Sequence, residues 1–361
     1  MSSLPPYTIV RQSCQSLLQR SLSQPPPVTV DTAAADAFVS SMDVDAIRSF
    51  GSSLAQDANC TGGDCDFTSV LQEAAFIVLL HALDFGSGWR KELHAHHGKG
   101  AFLTIKPGVE ALFRADPQLT ARFLENETSR ANIAEWFQLV DKRKGCVPDN
   151  LLSLVDLVQL VLHEIGSKCR DSGSLVQFVQ EMMKKVSNTP TAAGNIVSLL
   201  VDTFPVTFDD CYKLSATANE TAQPHTVYFY KKAQLVVGEM YHRFRDSDDR
   251  FRFRDGDQLT AYVDNVICAA LRYKGIVRPN ECITTKIETG VELVKGSVEE
   301  VYLRASALTA IEYMVRQCQA RQREGQSSLS ASELGNYLWG GLGKEPDVRK
   351  FQRHATKTVF Y

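Results

Sequence analysis

Asp264 stands in the run Leu259 to Leu271, whose apolar residues recur at helical spacing. On a helix its neighbours three and four positions away are Thr260, Ala261, Ile267 and Cys268. That places a carboxylate beside an apolar stripe, where partial desolvation suits it to act as acid, base or electrostatic stabiliser. A boundary aspartate that simply reaches water is the plainer alternative. Lys231 and Lys232 follow Tyr228, Phe229 and Tyr230. Rings beside ammonium groups can stack a base and neutralise a phosphate, or be core aromatics next to a solvated lysine pair. Arg304 lies four residues after Glu300, the spacing of a modest surface ion pair. Val301, Ala305 and Leu308 around it are apolar, which also fits a buried or cleft position. His354 and Lys357 belong to a basic tail by type, yet the chain's last residues, Val359, Phe360 and Tyr361, imply docking onto the body. His94, His96 and His97, with Cys60 and Cys65, are metal ligands by type only. Their spacing matches no zinc module, so no metal and no cofactor is assigned. There is no phosphate loop, Gly-x-Gly-x-x-Gly, Gly-x-Ser-x-Gly or His-Glu-x-x-His pattern, which argues against nucleotide-driven motors, the usual serine hydrolases and zincins.

The elements that must position these residues read as helices. Ser69 with Gln72 opens a strongly apolar helix over 70–83, expected to be buried. Gly86 to Gly100 reads as a loop, with four glycines and three histidines. Helical spacing returns over 151–165, 174–186 and 192–201. Asp209 to Pro224 reads as a polar inserted loop, Thr226 to Tyr230 as the best strand candidate, and 229–244 as helix. A charged loop over 245–257 leads into the clearest helix, 258–274. Ser297 with Glu300 caps a helix expected to run to about Gln319, and a Gly/Ser break over 325–329 precedes a short one, 331–339. Residues 1–30 read as a polar flexible tail ending in Pro25, Pro26 and Pro27, and 31–56 carries a weaker helical pattern. The expectation is an all-α fold with few or no strands: one helical domain over 31–361, or two packed lobes divided near 205–225.

A net charge of −3 gives no support to tight binding of a nucleic-acid duplex, so no stable nucleic-acid complex is expected. No run of roughly 18 apolar residues is present to span a membrane, and residues 1–27 lack a secretory signal's apolar core. Arg11 and Arg20 without nearby acids hint only faintly at a transit peptide, because no amphipathic stripe accompanies them. Nine cysteines scattered through helical segments fit reduced thiols and a cytoplasmic protein. The Asn-x-Thr sequons at Asn59, Asn126 and Asn219 then carry no glycan.

Several segments, in order, resemble the queuosine salvage protein family, the queuosine 5′-phosphate N-glycosylase/hydrolases. They are His81 to Phe85, Val201 to Pro205, Tyr228 to Gln234, Leu259 to Asp264, Glu300 to Ala305, Asn336 to Trp339 and His354 to Tyr361. The resemblance implies a mostly helical fold similar to DNA glycosylases, and release of queuine from queuosine 5′-monophosphate. It makes Asp264 the catalytic aspartate, Lys231 a pocket lysine, and Asp84 with Phe85 the base-contacting pair. Phe204, Tyr230, Tyr262, Arg304, Trp339, His354 and Tyr361, in the same segments, are the further substrate-binding candidates. Three departures stand out. Asp84 replaces the family's Asn, Gly86 to Trp89 replaces a more aromatic continuation, and Asn265 to Ala269 replaces Tyr-Arg-Leu-Pro-Gln. The implied chemistry suits a carboxylate, which stabilises positive charge building on C1′ and orients or deprotonates water. Queuine is a 7-deazaguanine, so carbon at position 7 cannot be protonated to ease departure. A cation at the 5′-phosphate, from Lys231, Arg304 or the terminal basic segment, would add remote binding energy. The rival expectations are a glycosylase acting on bases in nucleic acid, which would need a basic groove, and a non-catalytic helical module binding a modified purine nucleotide.

Overall fold

The computed structural model describes residues 4–20, 25–54, 65–186, 188–214, 224–321 and 328–361. Asn59, Cys60 and Asn219 lie outside the described residues, as do the turn expected from 59 as far as residue 64 and positions 325–327 of the Gly/Ser break.

In chain order the elements are α1 (Pro6–Leu18), β1 (Val28–Val30), α2 (Thr32–Ser41) and α3 (Val44–Leu54). There follow α4 (Val70–Ala82), α5 (Arg90–His97), α6 (Ala101–Ala115), α7 (Ala121–Asn126), α8 (Arg130–Trp136) and α9 (Asp149–Lys168). Next come α10 (Leu175–Val186), α11 (Ala192–Thr203), α12 (Pro205–Phe208), β2 (Cys211–Leu214), β3 (His225–Tyr228) and α13 (Lys231–Phe244). The chain ends through α14 (Asn265–Tyr273), β4 (Val277–Pro279), α15 (Glu281–Glu288), α16 (Val298–Ala320), α17 (Ala331–Gly340) and α18 (Pro346–Lys350). Helix dominates, at 64% against 6% strand. The fold is all-α. The described strands form two antiparallel pairs, β1 with β4 (Thr29 opposite Arg278) and β2 with β3 (Tyr212 opposite Val227). Part of the segment expected as a polar loop is thus the first strand of a hairpin.

The chain divides into two compact units. Unit one comprises residues 1–56, 210–234 and 255–356, and unit two comprises 57–209, 235–254 and 357–361.

Unit one is built around α16, whose residues Glu300 to Leu308 are all buried. Ser297 Oγ accepts from Glu300 N, so the expected cap is present. The Glu300 carboxylate does not return to the cap residue, however; its Oε2 accepts from Gly296 N at 3.2 Å. Helix α1 packs on α16 and on β3. This corrects the expectation of a flexible tail over 1–30. Pro6 starts the helix where its missing N–H costs nothing, and Tyr7, Val10, Cys14 and Leu17 make a buried stripe at helical spacing. The serines and glutamines between them give the segment its polar composition. Tertiary packing of the stripe, not intrinsic propensity, holds such a helix. Ser13 accepts from Tyr228 N through Oγ at 3.1 Å, and the Cys14 thiol approaches Tyr228 O at 3.7 Å.

Unit two is centred on α4, where Ala74 to Ala82 are all buried, as the sequence implies. Ser69 Oγ accepts from Gln72 N, and the Gln72 side chain reaches back to Thr68 N at 2.7 Å. The loop expected over 86–100 is instead a 3-10 turn followed by α5. Gly86 (φ 109°) and Gly98 (φ 74°) sit at its ends in the left-handed region, so they bound the helix rather than interrupt it. Among the described residues no single helix is long and apolar enough to cross a membrane, and Cys14, Cys146, Cys169, Cys268, Cys282 and Cys318 are thiols.

Candidate functional site

Asp264 is not in the middle of a helix. It is the N-cap of α14, with extended backbone (φ −129°, ψ −170°), and its Oδ1 accepts from Val266 N at 2.9 Å and Ile267 N at 3.0 Å. This corrects the helix expected over 258–274. The first N–H groups of any helix lack intrahelical partners, and an aspartate side chain satisfies two of them here while its charge complements the helix dipole. Leu259 to Val263 form an irregular segment before the cap, with Val263 N donating to Ala261 O at 3.0 Å, and are buried at every position, so both faces of the segment are covered. A segment apolar on both faces mimics a helical stripe in sequence. Two glycines let neighbours approach it closely. A Cβ at Gly335 of α17 would lie 2.9 Å from the Ala261 Cβ, and one at Gly343 would lie 2.6 Å from Val266 Cγ1. Asp264 and Tyr262 are 7% and 6% exposed, so the carboxylate is largely withdrawn from water.

Lys231 opens α13 just after Tyr230, which has φ 49°, a left-handed conformation that costs an aromatic residue about 1–3 kcal/mol. Arg304 sets this bend from behind. Its Nη1 donates to Asp210 Oδ1 at 3.0 Å and Glu300 Oε1 at 3.3 Å, and its Nη2 to Asp210 Oδ2 at 2.5 Å. Its guanidinium lies 3.9 Å from the Phe229 ring centroid. The Asp210 carbonyl in turn accepts from Phe229 N at 2.9 Å and Tyr230 N at 3.3 Å. Burial alone lowers the guanidinium pKa, but the Asp210 and Glu300 carboxylates outweigh it and hold it well above its ordinary value. With no exposed surface and two carboxylates on its charge, Arg304 is suited to hold the backbone of the turn rather than a phosphate. Lys231 and Lys232, both buried, stand at the start of α13, on the helical side of the turn.

One further side chain joins the lysine turn to the aspartate segment. Gln234 Nε2 donates to Phe229 O at 2.9 Å and Thr260 Oγ1 at 2.8 Å, and Gln234 Oε1 accepts from Thr260 N at 2.9 Å. His354 also belongs to this unit and is not part of a solvated tail. Its carbonyl accepts from Asn265 Nδ2 at 3.3 Å, and burial, then Arg304 and Arg272, push its ring pKa down to about 3. Trp339 is half-buried on α17, with Lys344 Nζ 5.3 Å from its ring centroid.

Tyr230, Lys231, Tyr262, Asp264, Arg304, Trp339 and His354 all belong to unit one; Asp84, Phe85, Phe204 and Tyr361 belong to unit two. There Asp84 is half-buried beyond the end of α4, and Phe85 and Tyr361 are buried. Phe204 has no exposed surface and meets Phe178 edge-on at 5.1 Å, which makes it an aromatic core residue. Lys357 pairs with Glu92 at 3.5 Å and lies over Trp89. Two of the three histidines of α5 have separate hydrogen-bond partners although their rings lie 5.2 Å apart: His96 Nε2 meets Gln138 O and His97 Nε2 meets Thr104 Oγ1. Among the described residues no group of three potential ligands could hold a metal ion. Asp210, Gln234 and Thr260 were not singled out from the sequence. Asp210 is hidden by the polar composition of its segment, whereas Gln234 stands openly in one of the matching motifs.

The family model for the queuosine salvage protein matches residues 68–361. A queuosine 5′-phosphate N-glycosylase/hydrolase of Sphaerobacter thermophilus is 28% identical over 292 residues, covering 80% of this chain and 81% of that protein. One of the same name from Dictyostelium discoideum is 29% identical over 288 residues, covering 80% and 78%. Another, from Nematostella vectensis, is 23% identical over 216 residues, covering 56% and 59%.

Proposed function

Because this chain belongs to the queuosine salvage protein family, we propose that it hydrolyses the N-glycosidic bond of queuosine 5′-monophosphate, releasing queuine and ribose 5-phosphate for reuse of the base in tRNA modification. The observation that carries the reading is Asp264. Its carboxylate is fixed by two backbone N–H donors and largely shielded from water, on the segment that Gln234 ties to the Lys231 turn.

Hydrolysis breaks the bond between C1′ and the base nitrogen, with the electron pair leaving on the base, and forms a bond from C1′ to a water oxygen. Positive charge builds on the ribose as the base departs. A carboxylate held in place beforehand stabilises that charge without reorganising, and low local dielectric strengthens the effect. The same carboxylate accepts the proton that water loses as it attacks, and that proton ends on the departing base. Lys231 is assigned to the 5′-phosphate, a role Arg304 is unfit for because its charge is already matched. Phosphate binding there adds affinity remote from C1′ that is used in the transition state. The base-reading role of Asp84 and Phe85 rests on the resemblance of their segment: an aspartate in place of Asn offers only acceptors to guanine-like N–H groups. No nucleic acid, membrane or cofactor enters the reaction. Nine cysteines scattered along the chain favour reduced thiols and a cytoplasmic location; recovery of the protein in an organelle fraction would contradict it.

The deciding experiment incubates the purified protein with queuosine 5′-monophosphate and follows free queuine by chromatography and mass spectrometry. Release by the wild type, a loss of at least about 10³-fold in Asp264→Asn, and no attack on guanosine 5′-monophosphate are expected. Undiminished release by Asp264→Asn would remove Asp264 from the mechanism, and no release by the folded wild type would remove the reaction.

A further inference from the structure

Gln234 has no exposed surface, and its carboxamide is fully occupied by backbone and hydroxyl groups of two segments, one at Phe229 and one at Thr260. The pairing is specific in sense. The amide oxygen takes the Thr260 N–H, and the amide nitrogen gives one hydrogen to Phe229 O and one to Thr260 Oγ1. Only a primary amide supplies one acceptor and two donors from a single planar group at this length. Phe229 immediately precedes Tyr230, whose left-handed backbone turns the chain into Lys231. Thr260 lies on the irregular segment that ends at Asp264, and Gln234 N also bonds Tyr230 O at 3.0 Å, so the side chain rises from the same turn it braces.

We infer that Gln234 is a positioning residue for the proposed reaction, fixing the Tyr230–Lys231 turn and the Thr260–Asp264 segment in one register so that cation and carboxylate are presented together. The inference rests on the function proposed above. It touches neither substrate nor reacting atoms. The reason such a brace is needed lies in the segments themselves. Leu259 to Val263 belong to no helix and to no strand pair, so their backbone has no regular ladder to fix it. The Tyr230 turn is strained. A catalytic constellation tolerates only about 0.5 Å of slack, and two irregular segments meet that limit only if something cross-links them. The Arg304–Asp210 pair fixes the turn from one side; Gln234 fixes it to the aspartate segment on the other.

Two measurements on Gln234→Leu, which keeps size and removes all three bonds, test this. In the first, kcat and KM for queuosine 5′-monophosphate are determined well below the unfolding temperature. Ile311→Val, a core change in α16 away from these segments, serves as a control for lost stability. A fall of about 30-fold or more in kcat with KM moved less than about threefold is expected for Gln234→Leu, with Ile311→Val unaffected. Thr260→Val, which loses the hydroxyl but keeps the backbone N–H, should fall between Gln234→Leu and the wild type, and Thr260→Ser should retain more activity than Thr260→Val. In the second, amide hydrogen exchange is compared between Gln234→Leu and wild type. Residues 229–231 and 260–264 should lose protection together while α16 keeps its own. Exchange does not depend on turnover, so it decides the brace even if the wild type proves inactive and the proposed reaction fails. Wild-type kcat in Gln234→Leu, an equal loss in Ile311→Val, or unchanged protection in either segment would overturn the inference.

Discussion

At the scale of single residues, Asp264 caps a helix and is proposed to carry the chemistry, and substitution separates the two duties. Asn is as good an N-cap as Asp, so Asp264→Asn should unfold within a few tenths of a kcal/mol of wild type while losing turnover. Asp264→Ala should lose turnover and also about 1 kcal/mol of stability. Denaturant titration beside the activity assay reads both. If Asp264→Asn is as unstable as Asp264→Ala, the capping geometry is wrong. Arg304 makes a different kind of demand. Removing one partner of a buried ion cluster strands the others, so Arg304→Met, which leaves Asp210 and Glu300 buried without their cation, should cost about 3–5 kcal/mol. Lys231→Met should leave the fold standing but raise KM for the 5′-monophosphate far more than for the nucleoside. Equal effects on both substrates would take the phosphate away from Lys231.

At the scale of elements, the irregular segment Leu259 to Val263 depends on the closeness of α17. Gly335→Ala brings a methyl to 2.9 Å of Ala261 Cβ, inside van der Waals contact, so the segment or the helix must shift. The expected outcome is a drop of about tenfold or more in kcat from a small displacement near Asp264; an unchanged kcat would mean the segment gives way without moving the carboxylate. The same segment marks where the sequence stops being legible. Helices α4 and α16 could be read in advance because their start signals, Ser69 and Ser297, stand where the apolar runs begin. The beginning of α14 could not, because Leu259 to Val263 are covered on both sides and their spacing continues the helical period past the true cap. Helix α1 escaped because four buried residues are diluted by serines and glutamines, and nothing local announces the α16 surface they meet. Asp264 and Lys231 were legible by type and motif. The Asp210–Arg304 pair was not, since it joins residues 94 apart and no periodicity encodes such a pairing.

For the whole molecule, buried titratable groups set the pH range of stability from both sides. Burial, countered by Arg243 and reinforced by Glu73, raises the Glu239 carboxyl to about 8 from 4.5. Between those values the unfolded chain is ionised and the folded one is not, so rising pH favours unfolding. His354, at about 3, and His242, lowered to about 4 by burial and Arg245, work in the opposite sense. Between those values and 6.5 only the unfolded chain binds their protons, and falling pH destabilises the fold. Glu239→Gln should therefore match wild type in melting temperature near pH 5 and exceed it at pH 8, by up to about 1.4 kcal/mol per pH unit. An equal shift at both pH values would show that Glu239 does not titrate as described. The route of the chain has a consequence of another kind. Helix α1 leaves the ribosome well before its partner α16, which begins about 290 residues later, roughly 15–60 s at ordinary rates of synthesis. For all that time the stripe of Tyr7, Val10, Cys14 and Leu17 lacks the α16 surface that completes its cover. The growing chain must carry it past every competing apolar contact, so a nascent chain halted before residue 298 should be cut by protease within residues 6–18, where the finished protein resists.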